Sequence, residues 1–248
     1  MATIAGAVTD ASPHQHIERA AASGGDTFRL GVDWARAEPV EGAYDEAVFE
    51  DYARACDAGR ARGVAPVIVL DDGGRPDWLG ADFWLRLESP ARFAGWAEAV
   101  TERLGERCHH VVTLVEPNVA CWQAWITGAR PPYRVGAVGD LVRSLDHVLA
   151  AHVAARAAVN RVDPDAEVTL ELGARPVYEL DGLLVDVLGA RAQGVGRYEL
   201  RPWLTERRRD WYVRRSPPTL IGAVLRRMAR SAIPLDQALP RAVAALYR

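Results

Sequence analysis

The stretch Cys108–Arg130, CHHVVTLVEPNVACWQAWITGAR, constrains the fold of this chain more than any other. His110–Val115 reads as a buried strand because its apolar run holds three valines and is too short for a helix. Glu116 stands where the strand stops, and Pro117 turns the backbone out of it. An aromatic helix or loop follows, with Trp122 and Trp125, then Gly128 and a proline pair. A strand that delivers a carboxylate at its C-terminal end, beside indoles, is the anatomy of a barrel active site. The competing reading is a strand end in solvent with no chemistry.

The flanking segments alternate between strand and helix patterns. Ala2–Thr9 reads as a short strand opening into a polar stretch that carries His14 and His16. These histidines suit either a ligand or a solvated loop. In FRLGVDWARAEP, Phe28, Leu30, Val32 and Trp34 alternate with Arg29, Gly31, Asp33 and Ala35, so Arg29, Gly31 and Asp33 share a face. If that face points inward, Arg29 is a buried cation that requires a carboxylate partner. Asp45–Arg62 has helical spacing and ends at Gly63. Val64–Leu70 is a buried strand emptying into Asp71-Asp72-Gly73-Gly74, where an acid faces the barrel mouth or only makes a turn. Ser89-Pro90 starts a helix over Ala91–Leu104 with Phe93, Trp96, Ala97 and Val100 as its buried stripe.

Asp140–Asn160 reads as a long helix holding His147 and His152 as packing residues. Ala166–Gly173 reads as a strand with Glu171 near its end. Leu183–Ala192, Thr219–Arg230 and Leu235–Arg248 read as helices, and Arg197–Leu204 and Asp210–Arg214 as short strands. The arginines at 207–209, 214 and 215 form a basic cluster that suits a solvated face, an anionic substrate or a partner's acidic surface, the first being the usual case. This order predicts one α/β domain over residues 1–248, a (β/α) barrel, for which 248 residues suffice.

Composition excludes several chemistries. The formal net charge is −3, and no basic run is interleaved with aromatics, so nucleic acid is not expected as a partner. The chain has no lysine, which removes lysine Schiff-base catalysis. Cys56, Cys108 and Cys121 fit neither a disulfide framework nor a zinc pattern. With no signal-like start and no membrane-length apolar window, the expectation is a cytoplasmic protein without metal or cofactor.

Taken in order, these motifs resemble glycoside hydrolase family 1, the β-glucosidase family. FRLGVDWARAEP resembles its second strand, Tyr44–Leu70 the helix and third strand, and TLVEPN (Thr113–Asn118) its Thr-Phe-Asn-Glu-Pro-Asn motif. TGARPP and EVTLELGARPVY resemble the following loop and the fifth strand. GAVTDASPHQHIE resembles the first strand less closely. The resemblance implies a TIM-type barrel and Glu116 as general acid/base. It also exposes departures. The asparagine that holds the sugar 2-hydroxyl is replaced by Val115, the histidine ending strand three by Asp72, and the sugar-gripping glutamine by His16. The Glu-Asn-Gly nucleophile motif of strand seven does not occur, so the expected barrel is reduced or incomplete on its C-terminal side.

Retaining hydrolysis needs two carboxylates about 5 Å apart, and Glu116 supplies one. Three readings follow: a glycosidase-related enzyme using Glu116 on a sugar-containing or glycoside-like small molecule; a repurposed barrel running elimination, isomerisation or cyclisation in small-molecule biosynthesis; and a binding protein that keeps the cleft. The expected catalytic set is Glu116, Asp72 and Glu171. The expected substrate contacts are Arg29, Asp33, His14, His16, Trp34, Trp122 and Asn118. A gap in the barrel would be covered by C-terminal helices or by a second copy in a homodimer.

Overall fold

The computed structural model describes residues 3–4, 17, 20–107, 109–175, 177–215 and 235–247. His14, His16, Cys108 and the expected helix Thr219–Arg230 lie outside the described residues. The chain divides into two compact units. One comprises Met1–Glu116 with Ala154–Glu171, the other Pro117–Val153 with Leu172–Arg248.

The first unit holds a parallel five-stranded sheet of β1 (Thr3–Ile4), β2 (Thr27–Gly31), β3 (Ala65–Val69), β4 (His110–Val115) and β5 (Glu167–Glu171), ordered β1-β2-β3-β4-β5. The crossovers carry α1 (Trp34–Ala37), α2 (Glu46–Arg60) and α3 (Ser89–Leu104). Asp45 caps α2 by accepting from the Ala47 and Val48 amides, which satisfies donors that the first turn leaves free. Gly59 is required where α2 meets the sheet, because a Cβ there would lie 2.4 Å from the Phe28 ring.

Along β2, Phe28 and Leu30 are buried while Thr27, Arg29 and Gly31 are half-buried, the expected period of two. Arg29 bridges to Glu171, with Nη1 donating to Oε1 at 2.9 Å and Nη2 2.9 Å from Oε2. β2 and β5 stand three strand spacings apart, roughly 14 Å in a flat sheet. Side chains standing perpendicular to a flat sheet do not cross that gap. The contact exists because the sheet curls and its inward-facing side chains converge.

Behind the sheet lies an aromatic core. Trp34 stacks on Trp96 with centroids 5.0 Å apart, and Phe83, Phe93 and Trp78 pack around it. The indole N–H groups are satisfied, Trp96 donating to the Leu70 carbonyl and Trp34 to buried Glu38.

The second unit is helical among its described residues: α4 (Pro117–Trp125), α6 (Gly182–Gly189), α7 (Leu200–Arg215), α8 (Leu235–Ala238), α9 (Pro240–Leu246) and most of α5 (Val138–Val162). The strands expected at Arg197–Leu204 and Asp210–Arg214 are absent, because both segments fall within or lead into α7. That helix buries Leu200, Leu204, Arg208 and Tyr212, one residue per turn.

Arg208 is therefore a core residue, and the basic cluster is not uniformly solvated. Arg208 Nε lies 2.8 Å from Glu179 Oε1, and Tyr212 donates to Glu179 Oε2 at 2.7 Å. Arg207 donates twice to Asp186 Oδ1, and Tyr178 donates to Asp186 Oδ2. Burial and the adjacent carboxylate push the Tyr178 phenol well above its usual range and that of Tyr212 to about 12. Asp146 of α5 caps α9, accepting from the Arg241 and Ala242 amides.

Candidate active site at the strand ends

The C-terminal ends of β2 to β5 bring the acids of the first unit to one edge of the sheet. Glu116 follows the last residue of β4, and its side chain is exposed. Its backbone is unusual: φ is 45°, in the left-handed region that non-glycine residues rarely enter. A bulge in β4 leads into this conformation. Val112 stands opposite Thr169 but Val115 opposite Glu171, so β4 carries one residue more than β5 over that stretch. Buried Thr113 fills the break by donating its hydroxyl to the Thr169 carbonyl at 3.1 Å. The Glu116 amide then donates to the Glu171 carbonyl at 2.9 Å.

Asp71 and Asp72 both accept from the Gly73-Gly74 turn, Asp72 from the Gly74 amide at 3.5 Å, and differ in burial. Asp71 is buried, accepts from the Gly73 amide at 2.7 Å and faces Arg75, so it builds the turn. Asp72 is exposed. Its Oδ2 lies 3.2 Å from where a Cβ on Gly31 would stand, so the bare backbone of β2 makes room for it. Glu171 also sits at a strand end, yet both its oxygens are occupied by Arg29.

Other expected site residues have structural occupations. Trp34 is a correction: it is 0% exposed and wholly enclosed by the aromatic core, which leaves no surface for substrate. Asn118 is a second correction. It is buried, accepts from the Gly173 amide, and donates to the Gly173 and Leu180 carbonyls, so its amide is spent on backbone. Asp33 is exposed and caps α1 through the Arg36 amide, while its own N–H donates to the Tyr52 hydroxyl. Trp122 lies half-buried on α4 in the second unit. Thr113 and Gly31 shape the site without having been singled out as site residues. The signals were a hydroxyl inside an apolar strand and a glycine on the Arg29 face. Among the described residues, no three His, Cys, Asp or Glu side chains are grouped to hold a metal ion. No helix among them is long and apolar enough to cross a membrane.

The sequence profile described as glycosyl hydrolase family 1 matches residues 14–199, most of the chain. The chain belongs to glycosyl hydrolase family 1. Within that family, it is 29% identical over 123 residues to beta-glucosidase 6 of Oryza sativa subsp. japonica, a match covering 48% of this chain and 24% of the relative. It is 28% identical over 153 residues to a beta-glucosidase of an Agrobacterium strain, covering 61% of this chain and 33% of that protein. The chain thus spans about a quarter to a third of these relatives.

Among solved structures, virulence factor SghA of Agrobacterium tumefaciens superimposes with a TM-score of 0.61 at 26% identity, covering 66% of this chain and 37% of that one. SghA is also known in complex with its substrate analog salicin. A family 1 β-glucosidase from Thermotoga maritima gives a TM-score of 0.69 at 16% identity, covering 94% and 50% of the two chains. The fold is that of a reduced TIM-type barrel, carrying the family's parallel sheet with helical crossovers.

Proposed function

We propose that this family 1 chain is a glycosidase-related enzyme that acts on a sugar-containing or glycoside-like small molecule, with Glu116 as its general acid/base, and that it is not an ordinary retaining β-glucosidase. The observation that carries the reading is the placement of Glu116. Its carboxylate is exposed at the end of β4, after a bulge and on a left-handed backbone that a solvated strand end has no reason to adopt. Asp72 is its partner, since Arg29 already occupies both oxygens of Glu171. In this mechanism Glu116 gives its proton to the glycosidic oxygen as the C–O bond breaks. Asp72 takes a proton from the water that attacks the anomeric carbon from the opposite face, so the product is inverted. Val115 in place of an amide side chain supports a departure from the retaining route.

The test compares Glu116→Gln and Asp72→Asn with the parent on aryl glycosides of several sugars, each with a good and a poor phenolic leaving group. Protonation matters most when the leaving group is poor. Glu116→Gln is expected to lose turnover mainly on the poor leaving group, and Asp72→Asn on both. Equal loss, or none, for Glu116→Gln overturns the assignment.

A further inference from the structure

We infer that Arg29 and Glu171 form a positioning pair that sets the direction of the Glu116 carboxylate. The catalytic consequence rests on the acid/base reading of Glu116, whereas the structural consequence stands apart from it. A non-glycine residue in the left-handed region persists only where its surroundings over-determine it. For Glu116, the surroundings in the first unit are the β4 bulge and the hydrogen bond from its amide to the Glu171 carbonyl. Thr113 secures the bulge through Thr169, independently of Arg29.

The second restraint depends on Glu171 staying in place. Glu171 is the last residue of β5, which pairs with β4 and is one of the two outer strands of the described sheet, and its side chain is 45% exposed. Strand ends of this kind open locally unless they are tied down. The tie is the Arg29 guanidinium, which grips both carboxylate oxygens from interior strand β2. A two-point planar grip fixes the direction as well as the position of the carboxylate, which a single ammonium does not. Restraint thus passes from the β2 side chain to the β5 side chain, from the β5 carbonyl to the β4 amide, and so to the orientation of Glu116.

Hydrogen exchange of the Glu116 amide in the full chain, read by NMR with the Val67 and Ile68 amides as internal reference, tests this. Arg29→Met and Glu171→Met are expected to speed the Glu116 amide about tenfold or more relative to that reference, as local opening would. Arg29→Lys keeps the charge without the fork, preserves the fold if Met does not, and is expected to fall between. An unchanged ratio overturns the pair, and so does a uniform rise across the β3, β4 and β5 amides, which would be global destabilisation. In turnover of an aryl glycoside, Arg29→Lys is expected to lower kcat with KM near that of the parent. If the amide is released but Glu116→Gln retains turnover, the acid/base reading fails and the positioning pair stands. If the amide is unmoved, the pair fails whatever the kinetics.

Discussion

Trp34 carries the contrast between motif and environment at the scale of single residues. One position after Asp33, the last residue of the Arg29 face, it belongs to a segment shared with sugar hydrolases, yet its ring lies flat on Trp96 and its indole N–H reaches Glu38 at 2.7 Å. Glu38 is buried and also accepts from the Gly42 amide, so both its oxygens are hydrogen-bonded. Trp34→Ala is expected to lower stability by about 3–5 kcal/mol in urea unfolding, the range for deleting a core aromatic. A change below about 1 kcal/mol would mean that the ring faces an open cleft instead. Asn118 makes the parallel case with hydrogen bonds. Asn118→Ala is expected to cost about 2–3 kcal/mol by stranding buried backbone groups of Gly173 and Leu180, again read from urea unfolding. Cys56 is buried, which pushes its thiol up to about 11, so alkylation of the folded protein is expected to spare it.

At the scale of elements, α7 shows how a charge can complete an apolar stripe. Leu200, Leu204 and Tyr212 have helical spacing, and the missing member is Arg208, with its guanidinium held by Glu179. A double-mutant cycle of Arg208→Met and Glu179→Met should show losses that are less than additive, because both changes remove the same ion pair. Additive losses would show that the pair is not coupled.

The cap of α9 by Asp146 gives a pH-dependent prediction. Burial, the largest influence, raises the Asp146 carboxyl above its ordinary value of 3.8, against the opposing pull of the Arg241 and Ala242 amides. The folded state then holds this proton more tightly than the unfolded chain. The contribution of Asp146 is greatest below the unfolded value and falls as pH rises through the raised one. Melting curves of the parent and Asp146→Asn should therefore show the parent's relative stability declining from about pH 4 upward. A difference rising with pH would reverse the sign.

At the scale of the whole molecule, family membership rests on a match to only part of each relative. The family profile covers residues 14–199, while the matched relatives are three to four times longer than the shared stretch. Salicin, bound by SghA as its substrate analog, is a direct probe. The purified chain is expected to release negligible glucose from it. Release with retention, together with a trapped glycosyl-carboxylate intermediate seen by mass spectrometry, would show that a second acid acts as nucleophile.

Sequence periodicity was enough for the sheet. Alternation in Thr27–Gly31, the apolar run of β4 and the long spacing of α5 are local signals, written in residues that follow one another. The carboxylate that ends β4 was legible for the same reason, since Pro117 must terminate that strand. Arg29 announced its need for a partner, but only the curl of the sheet brought Glu171 to it. The tertiary structure also separated Asp71 from Asp72, sent Trp34 and Asn118 into structural roles, and turned Arg208 inward onto Glu179. Each of those outcomes depends on which groups meet across long separations in the chain. A pattern of neighbours fixes which face a side chain takes, whereas its partner is decided by the desolvation and hydrogen bonding of groups that only folding brings together.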